Sequence, residues 1–255
     1  RVREGDRVRV PPIAQSLSKK SQIPREGVQW LSKRILYEDS KILVLDKPSG
    51  LAVHGGSRIS LGCIEALRSL KPSLRQADLV HRLDRGTSGC LLVAIRRSAL
   101  RRLHELLRRN AMKKSYLALV KGRWRHGEIE VDLPLVRGQL TARGRVQVNP
   151  EGKAARSCFR VVEHFGALAS LMEVSIITGR THQIRVHAAH MGHPVAGDQQ
   201  YGDEHFNAVL IEKGLHRLFL HAQALEFVWP DSEEGFAISA PLPEELSVVL
   251  RALQH

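Results

Sequence analysis

At 255 residues, 43% hydrophobic and 25% charged, the chain has material for one large domain or two smaller ones and lacks the profile of a disordered segment. Lys plus Arg number 39 against 26 Asp plus Glu, a net charge of +13 with histidines neutral, so a polyanion is the default partner. No stretch approaches the roughly 20 apolar residues of a membrane span, no secretory signal is visible, and Cys63, Cys90 and Cys158 are too scattered for a disulfide framework. These features predict a cytoplasmic protein with no membrane association, a monomer by default.

The opening "VREGDRVRVPPI" alternates apolar and polar residues around a Gly-Asp turn and stops at Pro11-Pro12. Because the chain starts on Arg1 rather than Met, residues 1–12 read as the last hairpin of a larger upstream module. Residues 13–30 are polar, carry Pro24 and read as a linker, leaving 31–255 as the main domain.

"ILYEDSKILVLDKPSG" predicts two short strands, the second ending in a Lys47-Pro48-Ser49-Gly50 turn, and "SLGCIEALRSL" a short helix. "VHRLDRGTSGCLLVA", residues 80–94, is a polar bend running into a strand at 90–95. A helix follows, with Ser98 as N-cap and Leu100, Leu103 and Leu107 at helical spacing. Its other side carries Arg101, Arg102, Arg108 and Arg109 with no acidic stripe, a solvated face or an RNA contact. "KKSYLALVKGRW" and "GEIEVDLPL" read as strands, "KAARSCFRVVEHF" and "ALASLMEVSIITG" as an antiparallel pair, and "HRLFLHAQALEFVWP" as another strand. The closing "PEELSVVLRAL" has the acidic first turn of a helix. Strands outnumber helices without regular alternation, which predicts an α+β fold with a largely antiparallel mixed sheet, flanked by helices and loops around a cleft.

Two segments concentrate chemistry. In "ITGRTHQIRVHAAHMGHP" the pattern predicts a helix from a strand end to Gly192, with Thr181, Arg185 and Ala188 on one face and Ile184, His187 and Met191 on another. His182, His187, His190 and His193 include no HExxH, and Pro194 breaks the helix, so no metal is expected. "GGSRISLG" is neither GxGxxG nor a P-loop, so no nucleotide cofactor is expected, and no GxSxG elbow is present. In the other segment Asp84 stands among His81, Arg82 and Arg85. An Asp in such a bend is most often a turn former. A functional one has no second carboxylate paired with it, as glycosidases require, and basic company suits a nucleophile or base.

"HRLDRGTSGCLLVA", "KKSYLALVKG" and "TGRTHQIRVHAAHMGHPVAGDQQYG", in that order, together resemble the RluA-type family of RNA pseudouridine synthases. "YEDSKILVLDKPSGLAVHGG" and "RLFLHAQALEF" fit as well, so the likeness spans about residues 35–242. It implies isomerisation of uridine to pseudouridine in RNA without cofactor or metal. By the family's pattern Asp84 is the essential aspartate, attacking the sugar or otherwise promoting glycosidic cleavage. Tyr116 packs on the target base, with a role in proton removal as one option, and Arg185 pairs with the aspartate. Arg82 matches the arginine linked to nucleotide flipping, and His81, Arg180, His182 and Gln183 in the same blocks are candidate RNA contacts. "EGDRVRVPP" is similar to the tail of an S4 RNA-binding domain, which favours large-subunit ribosomal RNA as partner. The rival readings are a catalytically silent RNA-binding protein on the same fold and a glycosylase that frees the base.

Overall fold

A computed structural model describes residues 27–55, 61–138 and 145–254. The hairpin and S4-like tail expected in 1–12 lie outside these residues, as does most of the 13–30 linker. At that linker's described end, Val28 is fully buried beside Leu31, ahead of the boundary expected at residue 31.

The chain runs β1 (Ile35–Glu38), β2 (Ile42–Lys47), α1 (Cys63–Leu70), β3 (Asp78–Leu79), β4 (Ser88–Ala94), α2 (Arg97–Arg108) and β5 (Met112–Lys121). Then follow β6 (Ile129–Asp132), β7 (Leu135–Arg137), β8 (Val146–Val148), β9 (Arg156–Phe165), β10 (Ala169–Ile176), α3 (Gln183–His190), α4 (Glu204–Glu212), β11 (Leu220–Val228), β12 (Gly235–Ser239) and α5 (Glu244–Gln254). The main sheet has the order β1-β2-β4-β11-β5-β10-β9-β6, with β3 added on β4 and β12 on β11; β7 and β8 form a separate pair. Its pairings are antiparallel except β4–β11, where Ser88 and Gly89 lie beside His221 and Ala222 in parallel. The α+β, largely antiparallel architecture is therefore the one the strand-rich pattern predicts.

Every residue of β2 and β4 is buried, because both faces of this part of the sheet are covered. Alternation assigns Leu43, Leu45, Leu91 and Val93 to the face packed by α1, and Ile42, Val44, Cys90, Leu92 and Ala94 to the face packed by α2. Truncating such a side chain, Leu91→Ala for example, costs about 2–5 kcal/mol. The two helices thus sit on opposite faces of the same sheet.

The parallel β4–β11 pair brings the loop before β4 beside the loop before β11. Contact is so close that a Cβ at Gly89, whose φ is +105°, would lie 2.2 Å from the Ala222 carbonyl oxygen. Only glycine fits there. Lys47, at the end of β2, secures the same region: its fully buried ammonium donates to the carbonyls of Pro48, Leu51 and Arg85 at 2.9, 2.9 and 3.2 Å. Burial lowers its pKa to about 8, but three carbonyl acceptors favour the charged form. Ser49 Oγ donates to the Gly86 carbonyl, and Gly50 N–H to that of Arg85, completing the tie between the two loops.

Three local expectations are corrected. α2 starts at Arg97 after an extended Arg96, so Ser98 lies inside the first turn and is no N-cap. Its buried stripe is Ala99, Leu103 and Leu106, with Leu100 and Leu107 only partly covered. Its arginine face is also not free of acids, since Glu105 pairs with Arg102 at 3.7 Å and Arg109 at 2.7 Å.

Candidate active site

Asp84 sits in the loop between β3 and β4, in a turn closed by Thr87 N–H on its own carbonyl at 3.1 Å. The loop is braced from below. His81 Nε2 accepts the N–H of Leu92 at 3.1 Å, and burial together with nearby Lys114 lowers its pKa to about 4. His81 is therefore a neutral brace between the loop and β4, and it is not among the cleft's walls. Leu83 is buried, which leaves the Asp84 side chain in the open, 26% exposed.

Arg185 reaches Asp84 from across the cleft. It projects from α3, whose entry differs from the expected helix: Thr181 precedes the first turn, and His182 holds a left-handed φ of 56°. Gln183, also first read as an RNA contact, is buried with its amide fully engaged. It accepts from Thr178 Oγ1 and Arg180 N–H, and donates to the Arg156 carbonyl and Ser157 Oγ. That network pins the start of α3 to β9, so Arg185 projects from a fixed base. Its Nη1 donates to Asp84 Oδ2 at 3.3 Å, while Nε and Nη2 donate to the two oxygens of Asp198 at 2.7 and 2.9 Å.

Asp198, in "GDQQYG", is a site residue that its sequence neighbourhood does not mark. Its side chain is wholly buried and also accepts the N–H groups of Gln200 and Tyr201. Burial alone would raise its pKa; the hydrogen bonds and charge of Arg185 and the two backbone donors outweigh this and hold it below the usual carboxylate value. The Tyr201 ring lies 5.0 Å from the Arg185 guanidinium, and its hydroxyl accepts Val146 N–H at 2.9 Å. The same hydroxyl lies 2.9 Å from His182 Nδ1, and the other ring nitrogen, Nε2, lies 3.8 Å from Asp84 Oδ2. Burial lowers the pKa of His182 in spite of the Asp84 charge. Thus Oδ2 faces an arginine and a histidine, while Oδ1 accepts no hydrogen bond among the described residues and opens to the cleft.

The cleft has a volume of about 550 Å³, within the ~300–1,000 Å³ usual for ligand sites. Arg82, Asp84, His182, Arg185 and Arg217 line it together with apolar Val53, Leu83 and Leu218. Arg82 is exposed, whereas His81, Arg180 and Gln183 are not among its walls. Arg180 is exposed on the approach to α3, its Nε donating to the Ala154 carbonyl. Arg217 is a wall residue that the sequence reading passed over, its Nη2 donating to Ser88 Oγ at 2.7 Å. Tyr116 lies one layer below, 6% exposed, in the core cluster that contains Leu83 and Leu218. Its hydroxyl makes no hydrogen bond among the described residues, where Asp46 Oδ1 is the one enclosed side-chain polar atom without a partner. The hydroxyl must therefore meet open space. Burial, then the Asp84 charge, push its pKa above the ordinary tyrosine value, so it is a phenol and not a phenolate.

The RNA pseudouridylate synthase family model matches residues 41–190, which contain Asp84, Tyr116 and Arg185. The chain belongs to this family. It is 50% identical over 256 residues to the ribosomal large subunit pseudouridine synthase C of Escherichia coli (strain K12), covering 98% of this chain and 80% of that protein. The Pasteurella multocida (strain Pm70) protein of the same name is 48% identical over 258 residues, covering 100% and 79%. Among solved structures, human RNA pseudouridylate synthase domain containing 4 matches with a TM-score of 0.75 and 25% identity, over 90% of this chain and 96% of that one. Human RNA pseudouridylate synthase domain containing 1 gives 0.68 and 27% identity, over 86% and 94%.

Proposed function

We propose that this pseudouridine synthase isomerises uridines of large-subunit ribosomal RNA in the cytoplasm, with Asp84 as the catalytic carboxylate. The supporting observation is the split in the environment of that carboxylate: Oδ2 is held by Arg185, and Oδ1 is left open to a cleft of nucleoside size. The substrate class rests on the names of the two bacterial relatives and on the chain's charge of +13.

A uridine must leave its stack to reach Asp84, at a cost of a few kcal/mol. Exposed Arg82 at the cleft wall engages the phosphates, and the apolar floor over Tyr116 receives the base. Oδ1 attacks C1′ as the bond to N1 opens, and the electron pair leaves with the uracil. The base turns and C5 takes the place of the carboxylate on C1′. The proton on C5 is then removed and N1 gains one, so the product has the mass of the substrate. A phenol with a raised pKa is a poor base for that proton, so Tyr116 serves as a platform and hydroxyl donor; the released Asp84 carboxylate is the base within reach. Arg185 keeps the carboxylate's rotamer fixed for attack.

Incubation with large-subunit ribosomal RNA labelled with tritium at uridine C5 tests this. Release of tritium with no loss of base is the expected result. Binding without release would make the protein a silent RNA binder, and free uracil with an abasic ribose would make it a glycosylase.

A further inference from the structure

A second concave surface shares no wall residue with the cleft. It has a volume of about 970 Å³ and is lined by Arg68, Arg75, Arg96, Arg97 and Arg101, with Asp78 as its one acid. It lies where the turn after α1, the end of β4 and the first turns of α2 meet. The catalytic loop enters β4 at Ser88 and this groove takes over at Ala94, six residues on, so the strand sets the two roughly 20 Å apart.

Three of the five guanidinium groups have no polar partner among the described residues. Arg68 donates to the Ala77 carbonyl and lies 3.6 Å from Asp78, and Arg96 donates to the Ser40 carbonyl. The side chains of Arg75, Arg97 and Arg101 are exposed and make no hydrogen bond or ion pair among the described residues. The neighbouring hollow across α2 differs. There Arg102 is neutralised by Glu105 and Asp231, the latter at 2.9 Å. Arg96 and Arg101 line both hollows, while Arg75 and Arg97 belong to the first alone. Holding so many guanidinium groups together is unfavourable without a polyanion, and planar forks of this kind match phosphate oxygens.

We propose that this groove is a second RNA-binding surface, which seats the phosphate backbone of a helical segment lying outside the target nucleotide. It rests on the reading of the protein as an RNA modifier, and it assigns a separate surface to affinity while the cleft performs the chemistry. Backbone contacts position without reading sequence, so the groove adds strength and orientation, not choice of base.

The test compares the wild type with the triple variant Arg75→Gln/Arg97→Gln/Arg101→Gln, using a 24-base-pair RNA duplex of arbitrary sequence as probe. Affinity at 100 mM salt falls by about 10-fold or more, and the slope of log K against log salt becomes shallower by about 2–3, at about 0.9 per duplex phosphate. Tritium release from large-subunit ribosomal RNA slows through KM, with kcat retained. The triple lysine variant keeps most of the affinity. Unchanged affinity and slope would overturn the proposal, and so would a kcat loss without weaker binding or an equal loss in the lysine variant. Wild-type tritium release tests the underlying activity independently of the duplex measurement.

Discussion

In the cleft, Arg185 commits Nε, Nη1 and Nη2 to two carboxylates and rests on a tyrosine ring, while at the far end of β4 three arginine side chains make no hydrogen bond or ion pair among the described residues. The residue type is the same and the use is opposite. A guanidinium that is 11% exposed and held at three points cannot follow a mobile phosphate; it is an internal part that fixes another side chain. Exposed, unpaired guanidinium groups can adapt to a polyanion, and they contribute to affinity rather than to geometry. Net charge alone does not separate these roles; partners do.

If Arg185 works through Asp84, Arg185→Ala slows turnover by about 10²–10³-fold with duplex RNA affinity unchanged. Steady-state kinetics beside a binding titration check this, and an effect confined to binding would move Arg185 into the other class. Next comes Asp198→Asn, which keeps the shape and removes the charge. It leaves the largely buried Arg185 under-compensated, lowering stability by about 3 kcal/mol and kcat by up to about 10²-fold. Thermal melting and kcat should shift together; a stable variant with full kcat would show that Asp198 does not position Arg185.

These two residues also mark how far the sequence could be read. The blocks around Asp84, Tyr116 and Arg185 stand out because their residue types and order carry the family likeness. Asp198 lies 13 residues from Arg185, and its role exists only once the chain turns back after α3. His81 and Gln183 belong to the same blocks, yet their side chains point into the fold, a direction that spacing in a loop does not encode. The strands follow from alternating apolar residues. The helix α4 was missed although Asp203 caps it by accepting Phe206 N–H at 2.8 Å, because "EHFNAVLIE" shows no polar face to contrast with its core side. The double burial of β2 and β4 was visible as unbroken apolar runs, but not the helices that cause it.

Smaller effects sharpen the contrast between parts that react and parts that brace. Tyr116→Phe keeps the ring and removes a hydroxyl that stays protonated, so kcat falls by no more than about 10-fold, with no rise in activity above pH 9 in the wild type. A much larger loss together with such a rise would make the phenolate the base. For bracing, pH is the probe. Burial lowers the folded-state pKa of His81 from 6.5 to about 4, and those of His187 and His221 in the same direction. The unfolded chain takes up these protons first, so their contribution is present above pH 6.5 and lost as pH falls toward 4; for His81 it is roughly 3 kcal/mol. The melting temperature should drop from pH 7 to pH 5, and less steeply in His81→Gln. An equal slope in both proteins would remove His81 from the bracing role.

The carboxylate itself offers the most direct test. Asp84→Asn retains the size of the side chain and its place beside Arg185 while abolishing the negative oxygen. Single-turnover tritium release from large-subunit ribosomal RNA should stay at background in this variant, with RNA affinity equal to that of the wild type. Near-normal release by Asp84→Asn would contradict the assignment of the chemistry to this side chain.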